Sequence, residues 1–377
     1  MAEIYLDANA SAPLRPEARA ALLAALDLGP GNASSAHAAG RRLRKALGDA
    51  RAAVAALAGA RESEVVFTSG ATESNALAIH GTLAAAEGAI VFTRAEHSSV
   101  LRVAERLAAA GRDVRWAGVD RWGRFDADEV VRLADGAALV AATLAQSVTG
   151  AIEPVAVLAG RLGSAALHAD AAQAAGRIDV RFAALGASTL SLSAHKIGGP
   201  HGIGALVVRD GAAWRNPHGD AAQERGRRAG TEAVALAAAF GAAASAVMAH
   251  GAAERAAMAA AAAELRRGIA SIPGAEILTP EDAALPNTLL VAFDGCPGDA
   301  LMAALDGRGV RVSTGSACAS GARVPPEVLV AAGRPRADAA RAVRLSASWA
   351  TAPEEILAAL PALADSVARV RAAGPTS

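Results

Sequence analysis

The chain has 377 residues, its 37 lysines and arginines balance 37 aspartates and glutamates, and aromatic residues make up 3%. Balanced charge excludes a bulk electrostatic drive toward nucleic acid or anionic membrane, and so few aromatics exclude a stacking face for single-stranded nucleic acid. The length favours two domains, while two cysteines are too few for a disulfide scaffold or a cysteine-only metal site and point to a reducing, cytoplasmic setting.

The first residues, MAEIYLDANA, hold no basic stretch followed by an apolar run, which argues against a secretory signal. Short β-rich runs follow at 64–68, 89–93, 113–117, 138–144, 165–169, 189–193 and 204–208, with helical patterns at 74–86, 98–110 and 155–162 between several of them. Strand–helix alternation over this length reads as a mostly parallel sheet with helices on both faces. Only a glycine-rich turn separates the last two strands, so an antiparallel join is expected there. The apolar run 233–249 is alanine and glycine, which suits a buried helix better than a membrane span. Beyond about 250 the pattern changes: a helix over 252–269, strands near 276–279 and 287–293, a helix over 299–306, a glycine-rich loop at 313–321, a strand over 342–346 and a helix from Pro353. This reads as a smaller α+β unit. The expected division is an N-terminal arm (1–14) packing with the small domain, a large domain (15–250) and a small C-terminal domain (251–377) carrying the loop 313–326.

Six places carry chemistry. All but Lys45 and Lys196 of the basic residues are arginine, and Lys196 follows the strand 189–193. A lysine amine can lose its proton and attack carbon, which guanidinium cannot, so Lys196 is a candidate Schiff-base lysine. Asp170 ends the strand 165–169, where open α/β sheets bind ligands, although a helix N-cap is an equal alternative. A buried carboxylate beside a reactive lysine suggests pyridoxal phosphate, the acid keeping the ring nitrogen protonated. Ser69-Gly-Ala-Thr72 opens a helix and offers free backbone N–H groups to an anion, or is an ordinary capped turn. His97 follows the strand 89–93 and suits stacking or proton transfer, though a structural role at a helix start is common. Cys318 lies in a small-residue loop expected to be mobile and accessible, which suits a nucleophile; Cys296 reads as a loop residue without chemistry. Arg344, inside a strand, calls for a carboxylate partner.

Together, Tyr5-Leu-Asp-Ala-Asn-Ala, Gly31-Asn-Ala-Ser-Ser-Ala-His37, Phe67-Thr-Ser-Gly-Ala-Thr-Glu-Ser-Asn75, Glu96-His97, Asp170-Ala-Ala-Gln173, Ser193-Ala-His-Lys196, Arg228-Ala-Gly-Thr-Glu232 and Gly315-Ser-Ala-Cys318 resemble the cysteine desulfurases of the NifS/IscS type, within the class V, fold-type I pyridoxal-phosphate enzymes. The stretch after Cys318, with Pro325-Pro326, is similar to the subgroup with a long cysteine loop. The resemblance implies a seven-stranded, mostly parallel sheet and a homodimer. It implies that Lys196 binds the cofactor, His97 stacks on its ring, Asp170 pairs with the ring nitrogen and Gln173 with the ring hydroxyl. Ala71, Thr72, Ser193 and His195 hold the phosphate, Thr231 reaches the phosphate of the other subunit, and Arg344 clamps the substrate carboxylate. L-Cysteine would give alanine and a persulfide on Cys318, collected by a sulfur acceptor such as an iron–sulfur scaffold.

The chain departs from that pattern twice. Gln146-Ser147-Val148 stands where the family has Asn-Asn-Glu, so Ser147 occupies the position facing cofactor and substrate with no amide to offer. Gly219-Asp-Ala-Ala222 replaces a run of glycines. A class V aminotransferase or selenocysteine lyase acting on another amino acid, which would not need Cys318, and a non-catalytic paralogue are the alternatives.

Overall fold

The structure is a computed structural model that describes residues 3–219, 222–315 and 325–374. Cys318 lies outside the described residues, as does the middle of the Gly219–Ala222 stretch.

Seven strands form one sheet in the order Val65–Thr68, Gly204–Val208, Thr189–Ser193, Ala166–Asp170, Ala137–Thr143, Ala89–Thr93 and Val114–Ala117. All pairings are parallel except those of Gly204–Val208, which runs antiparallel to both neighbours. The reversal follows from the short connection after Ser193, since a parallel return needs a crossover of a dozen residues or more. The central strands are buried almost throughout, as a sheet covered on both faces requires: Ala137–Thr143 is a nearly continuous Ala/Leu/Val run, while Ala166–Asp170 and Thr189–Ser193 alternate polar residues with Ala or Leu.

Helix Ala71–Leu83 packs across the middle strands. Behind the sheet, helices Pro16–Leu26 and Ala38–Ala58 pack on a long helix, Val234–Ala270. That helix joins the apolar run 233–249 and the expected helix 252–269 into one element, so the expected boundary at 250 falls inside it. It is long and apolar enough to cross a membrane, but Ala237, Phe240, Ala244 and Val247 are buried within the protein. Its small residues permit close approach: a Cβ on Gly241 would lie 2.7 Å from Ala50 Cα.

A second hydrophobic core gathers Leu265, Ile269, Leu289, Phe293, Leu301, Val343, Ile356 and Leu363. Its sheet is antiparallel, with Thr288–Phe293 between Ala342–Ser346 and Ala275–Ile277. The N-terminal strand Ile4–Tyr5 pairs with Val310–Arg311, and Ile4 and Leu6 enter this core.

One sequence expectation needs correction. The pattern over 155–162 forms only a 3-10 turn, Val155–Leu158, because Gly160, and Gly163 after it, take left-handed backbone that ends it. Cys296 does lie in the loop after Phe293, and there it is fully buried against the second core, which raises its thiol pKa.

Candidate active site

Asp170 and Lys196 stand at the carboxyl ends of adjacent parallel strands. The register pairs His168 with Thr189 and Asp170 with Ser191, so these four side chains share one face of the sheet, the face that helix Ala71–Leu83 crosses. No helix begins at Asp170; the chain turns instead, which removes the N-cap alternative. Asp170 Oδ1 accepts from the Ala172 N–H at 2.9 Å and Oδ2 from Asn75 Nδ2 at 2.8 Å.

Lys196 closes the turn Ala194–Lys196, and its Nζ donates to the carbonyls of Asn9 (2.7 Å) and Ala10 (2.8 Å). Burial lowers its pKa from 10.5 to about 7; Arg177 and Arg344 push the same way, against Asp7 and Asp170. An amine so placed is partly neutral near pH 7 and able to act as a nucleophile or base. The neighbouring His195 is driven down to about 3, first by burial and then by Lys196, His201 and Arg177, so the ring is neutral. Its Nδ1 lies 3.3 Å from Ser11 Oγ, which is 3.0 Å from His201 Nε2.

The N-terminal segment 7–12 straps this site together. Besides receiving Lys196, the Asn9 carbonyl accepts from Gln173 Nε2, and the Ala8 carbonyl from Arg177. The Asn9 side chain donates to the Ser147 carbonyl and Thr288 Oγ1. Asp7 Oδ1 pairs with Arg344 Nη2 at 2.5 Å. Arg344 also donates to the Ser147 carbonyl at 3.0 Å, while its buried Nε has no partner among the described residues. The carboxylate expected for Arg344 is therefore Asp7, through a single contact rather than a fork. Gln173 donates one Nε2 hydrogen to the Asn9 carbonyl, and its Oε1 accepts from Arg177. Arg177, buried and facing carbonyls instead of a carboxylate, drops to about 9 through burial and the charge of Arg344.

An anion cradle lies beside these groups. Strand Val65–Thr68 passes through Ser69 and Gly70 into helix Ala71–Leu83, with no side chain capping its first N–H groups. Gly70 has φ +154, and a Cβ on Gly204 would lie 2.6 Å from Gly70 Cα and from the Leu192 carbonyl, so two glycines let strand end and turn touch. Ala71 and Thr72 open the helix, and Ser193 ends the strand two places along the sheet. Glu73 accepts from the Ser69 N–H and pairs with Arg228 at 2.9 Å, tying the turn to the segment that carries Thr231. Thr231 itself is exposed.

His97 caps helix Ser98–Ala109: its Nδ1 accepts from the Ser99 N–H (3.1 Å) and meets Ser99 Oγ (2.9 Å). Glu96, next to it, is buried; its Oε1 accepts from Thr93 and the Thr143 N–H, and its Oε2 has no partner among the described residues. Burial, with the charge of Asp170, lifts the Glu96 pKa to about 8. At the divergent stretch, Gln146 turns inward: its Oε1 accepts from the Val148 and Thr149 N–H groups and its Nε2 donates to Ala95. Ser147 contributes its carbonyl to Asn9 and Arg344.

The structure thus brings Lys196, His195, Gln173, Arg344 and Ser147 around the strap, with Asp170 on the strand next to the one that leads to Lys196. It places Ala71, Thr72, Ser193 and His97 at neighbouring strand ends and helix starts. Sequence reasoning missed Asp7, Asn9, Asn75, His168 and Arg177. Asp7, Asn9 and Asn75 sit inside quoted motifs, but only the strand register shows what they touch.

A tunable amine, a buried carboxylate and an uncapped helix start are the donor set that pyridoxal phosphate needs: an aldehyde partner, a ring-nitrogen partner and a phosphate seat. The family described as aminotransferase class-V matches residues 4–358. A cysteine desulfurase of Bradyrhizobium diazoefficiens is 40% identical, over 98% of this chain and 96% of its own. A solved NifS-like protein superposes with a TM-score of 0.90 at 28% identity, covering 97% of this chain and 100% of its own. A solved structure of SspA in complex with cysteine gives 0.78 at 28% identity, over 91% and 98%. By fold and by sequence along almost its whole length, the chain belongs to the class-V aminotransferases, in the company of the cysteine desulfurases.

Proposed function

We propose that this chain is a pyridoxal-phosphate-dependent cysteine desulfurase, converting L-cysteine to L-alanine and leaving the sulfur as a persulfide on Cys318. The observation that carries the reading is the Lys196–Asp170 pair at adjacent strand ends, its amine held by two carbonyls and brought to about pH 7, in a chain matching desulfurases along its length.

Lys196 would hold the cofactor through its amine, Asp170 would face the ring nitrogen and Gln173 the ring hydroxyl. Ala71, Thr72, Ser193 and His195 would seat the phosphate, with His97 against the ring and Ser147 beside it. When bound, the pyridoxal ring supplies an electron sink that acidifies the substrate Cα–H. Arg344 binds the substrate carboxylate, exchanging one of its carbonyl or Asp7 contacts for it. Lys196 Nζ, partly neutral near pH 7, accepts the Cα proton. The Cys318 thiolate attacks the substrate sulfur: an S–S bond forms, the Cβ–S bond breaks with its electron pair left on the substrate carbons, and a proton delivered to Cβ together with the return of the Cα proton from Lys196 completes alanine. His97 would move protons at the ring. The persulfide then passes to a sulfur acceptor, of which an iron–sulfur assembly scaffold is one. Thr231, exposed on this chain, suits a homodimer in which it reaches the partner's phosphate, and the cysteine count suits a cytoplasmic setting.

The test is L-cysteine turnover with mass spectrometry of the Cys318 peptide. Alanine formation with one added sulfur on Cys318, lost in Cys318→Ser, is expected. Unchanged amino-acid turnover in Cys318→Ser would sink the proposal in favour of a lyase or aminotransferase that does not use the thiol.

A further inference from the structure

We propose that Asn75 is a positioning residue of the cofactor site, holding the Asp170 carboxylate directly and the His97 ring through Ser99. This deepens the reading above and rests on it. Asn75 is fully buried on helix Ala71–Leu83, over the sheet face that presents His168, Asp170 and Thr189. Its Nδ2 lies 2.8 Å from Asp170 Oδ2 and 2.9 Å from Ser99 Oγ, and its Oδ1 lies 3.0 Å from His168 Nε2. His168 Nδ1 in turn lies 2.9 Å from Thr189 Oγ1.

Each assignment forces the next. An ionised carboxylate only accepts, so the amide must turn its NH2 group toward Asp170. Oδ1 then faces His168, whose Nε2 must carry the proton, which leaves Nδ1 to accept from the Thr189 hydroxyl. Burial holds His168 down to about 4, so the neutral ring with one donor and one acceptor is the form present. Flipping the Asn75 amide would set oxygen against carboxylate and NH2 against N–H, two repulsive contacts in a dry site. The amide is locked.

The second arm reaches His97. Ser99 Oγ accepts from Asn75, so its own hydrogen is available to His97 Nδ1, 2.9 Å away, where the Ser99 N–H also arrives. With Nδ1 accepting, Nε2 is the ring nitrogen that carries the proton. One asparagine therefore fixes the direction of the carboxylate and, through the Ser99 hydroxyl, buttresses the histidine whose Nδ1 the Ser99 N–H already holds as an acceptor; these are the two groups assigned to the ring.

The experiment measures dissociation constants of the full-length chain for pyridoxal phosphate and for its deaza analogue, in which a C–H replaces the ring nitrogen. Wild type should prefer pyridoxal phosphate. Asn75→Leu should weaken pyridoxal phosphate about ten-fold more than the analogue, the scale of one hydrogen bond to a charged group, because a misdirected Asp170 matters only to a ring nitrogen, while a loosened His97 weakens both alike. Should Asn75→Leu fail to fold, Asn75→Ala, which removes the amide without adding bulk, gives the same readout. Equal weakening of both ligands, or of neither, would overturn the proposal by making Asn75 a packing residue. Asp170→Ala is the control. If it erases the preference while the Asn75 variants keep it, the positioning role alone fails. If it too keeps the preference, the cofactor role of Asp170 fails and the positioning role falls with it.

Discussion

Replacing Lys196 with methionine, similar in length but uncharged, should make the cofactor-free protein more stable at neutral pH and less so in alkali. The folded protein holds the amine at about 7 against an ordinary 10.5. Above 10.5 the amine is neutral in both states and costs nothing. Between 10.5 and 7 the unfolded chain binds a proton that the folded chain does not, so wild-type stability falls as pH falls; below 7 the loss is complete and constant. That gap corresponds to an upper value of about 5 kcal/mol, and relaxation of the site should reduce the observable change to about 2–4 kcal/mol. Methionine also strands the Ala10 carbonyl and removes one donor from Asn9, a cost of about 1–2 kcal/mol that does not vary with pH. The slope therefore isolates the charge. Urea unfolding of both apoproteins between pH 6.5 and 10.5 should show the methionine variant ahead at neutral pH and level or behind at the alkaline end. Tyr5, Cys296 and Arg177 are common to both and largely cancel. A stability difference constant across that range would refute the argument that burial holds the amine partly neutral.

Glu96→Gln should stabilise the protein increasingly from about pH 4.5 to 8. The folded carboxyl titrates near 8, so the wild type loses stability over that window as the unfolded chain ionises and the folded chain does not; thermal unfolding of both proteins against pH measures it, and parallel curves would exclude a protonated Glu96. Ser147→Asn should lower the cysteine KM by about ten-fold, restoring one hydrogen bond to a charged carboxylate near Arg344; unchanged KM and kcat would mean that the strap and Arg344 already supply what the asparagine would add.

Much of the sheet was legible because its strands obey local rules. The runs at 89–93, 189–193 and 204–208 match the observed strands end to end, since buried Val/Leu/Ala stretches between glycine turns have few alternatives. The 155–162 pattern misled because periodicity counted apolar positions while Gly160 and Gly163 set the backbone. At the site, Lys196 and Asp170 were legible through residue chemistry and strand-end position. The strap was not: Ala8, Asn9 and Ala10 act through backbone carbonyls, which every residue possesses. Asn75 and His168 depend on the register of two strands and the helix crossing them, contacts separated by more than ninety positions. Arg344 asked for a carboxylate, and the sequence alone could not choose Asp7 from the other end of the chain.

The most direct measurement exploits the composition. With only Lys45 and Lys196 in the chain, reduction of the holoenzyme with borohydride and peptide mapping must place any pyridoxyl group on one or the other. The account predicts the label on Lys196, and its absence from Lys196→Ala. A label on the exposed Lys45, or none on either lysine, would contradict it.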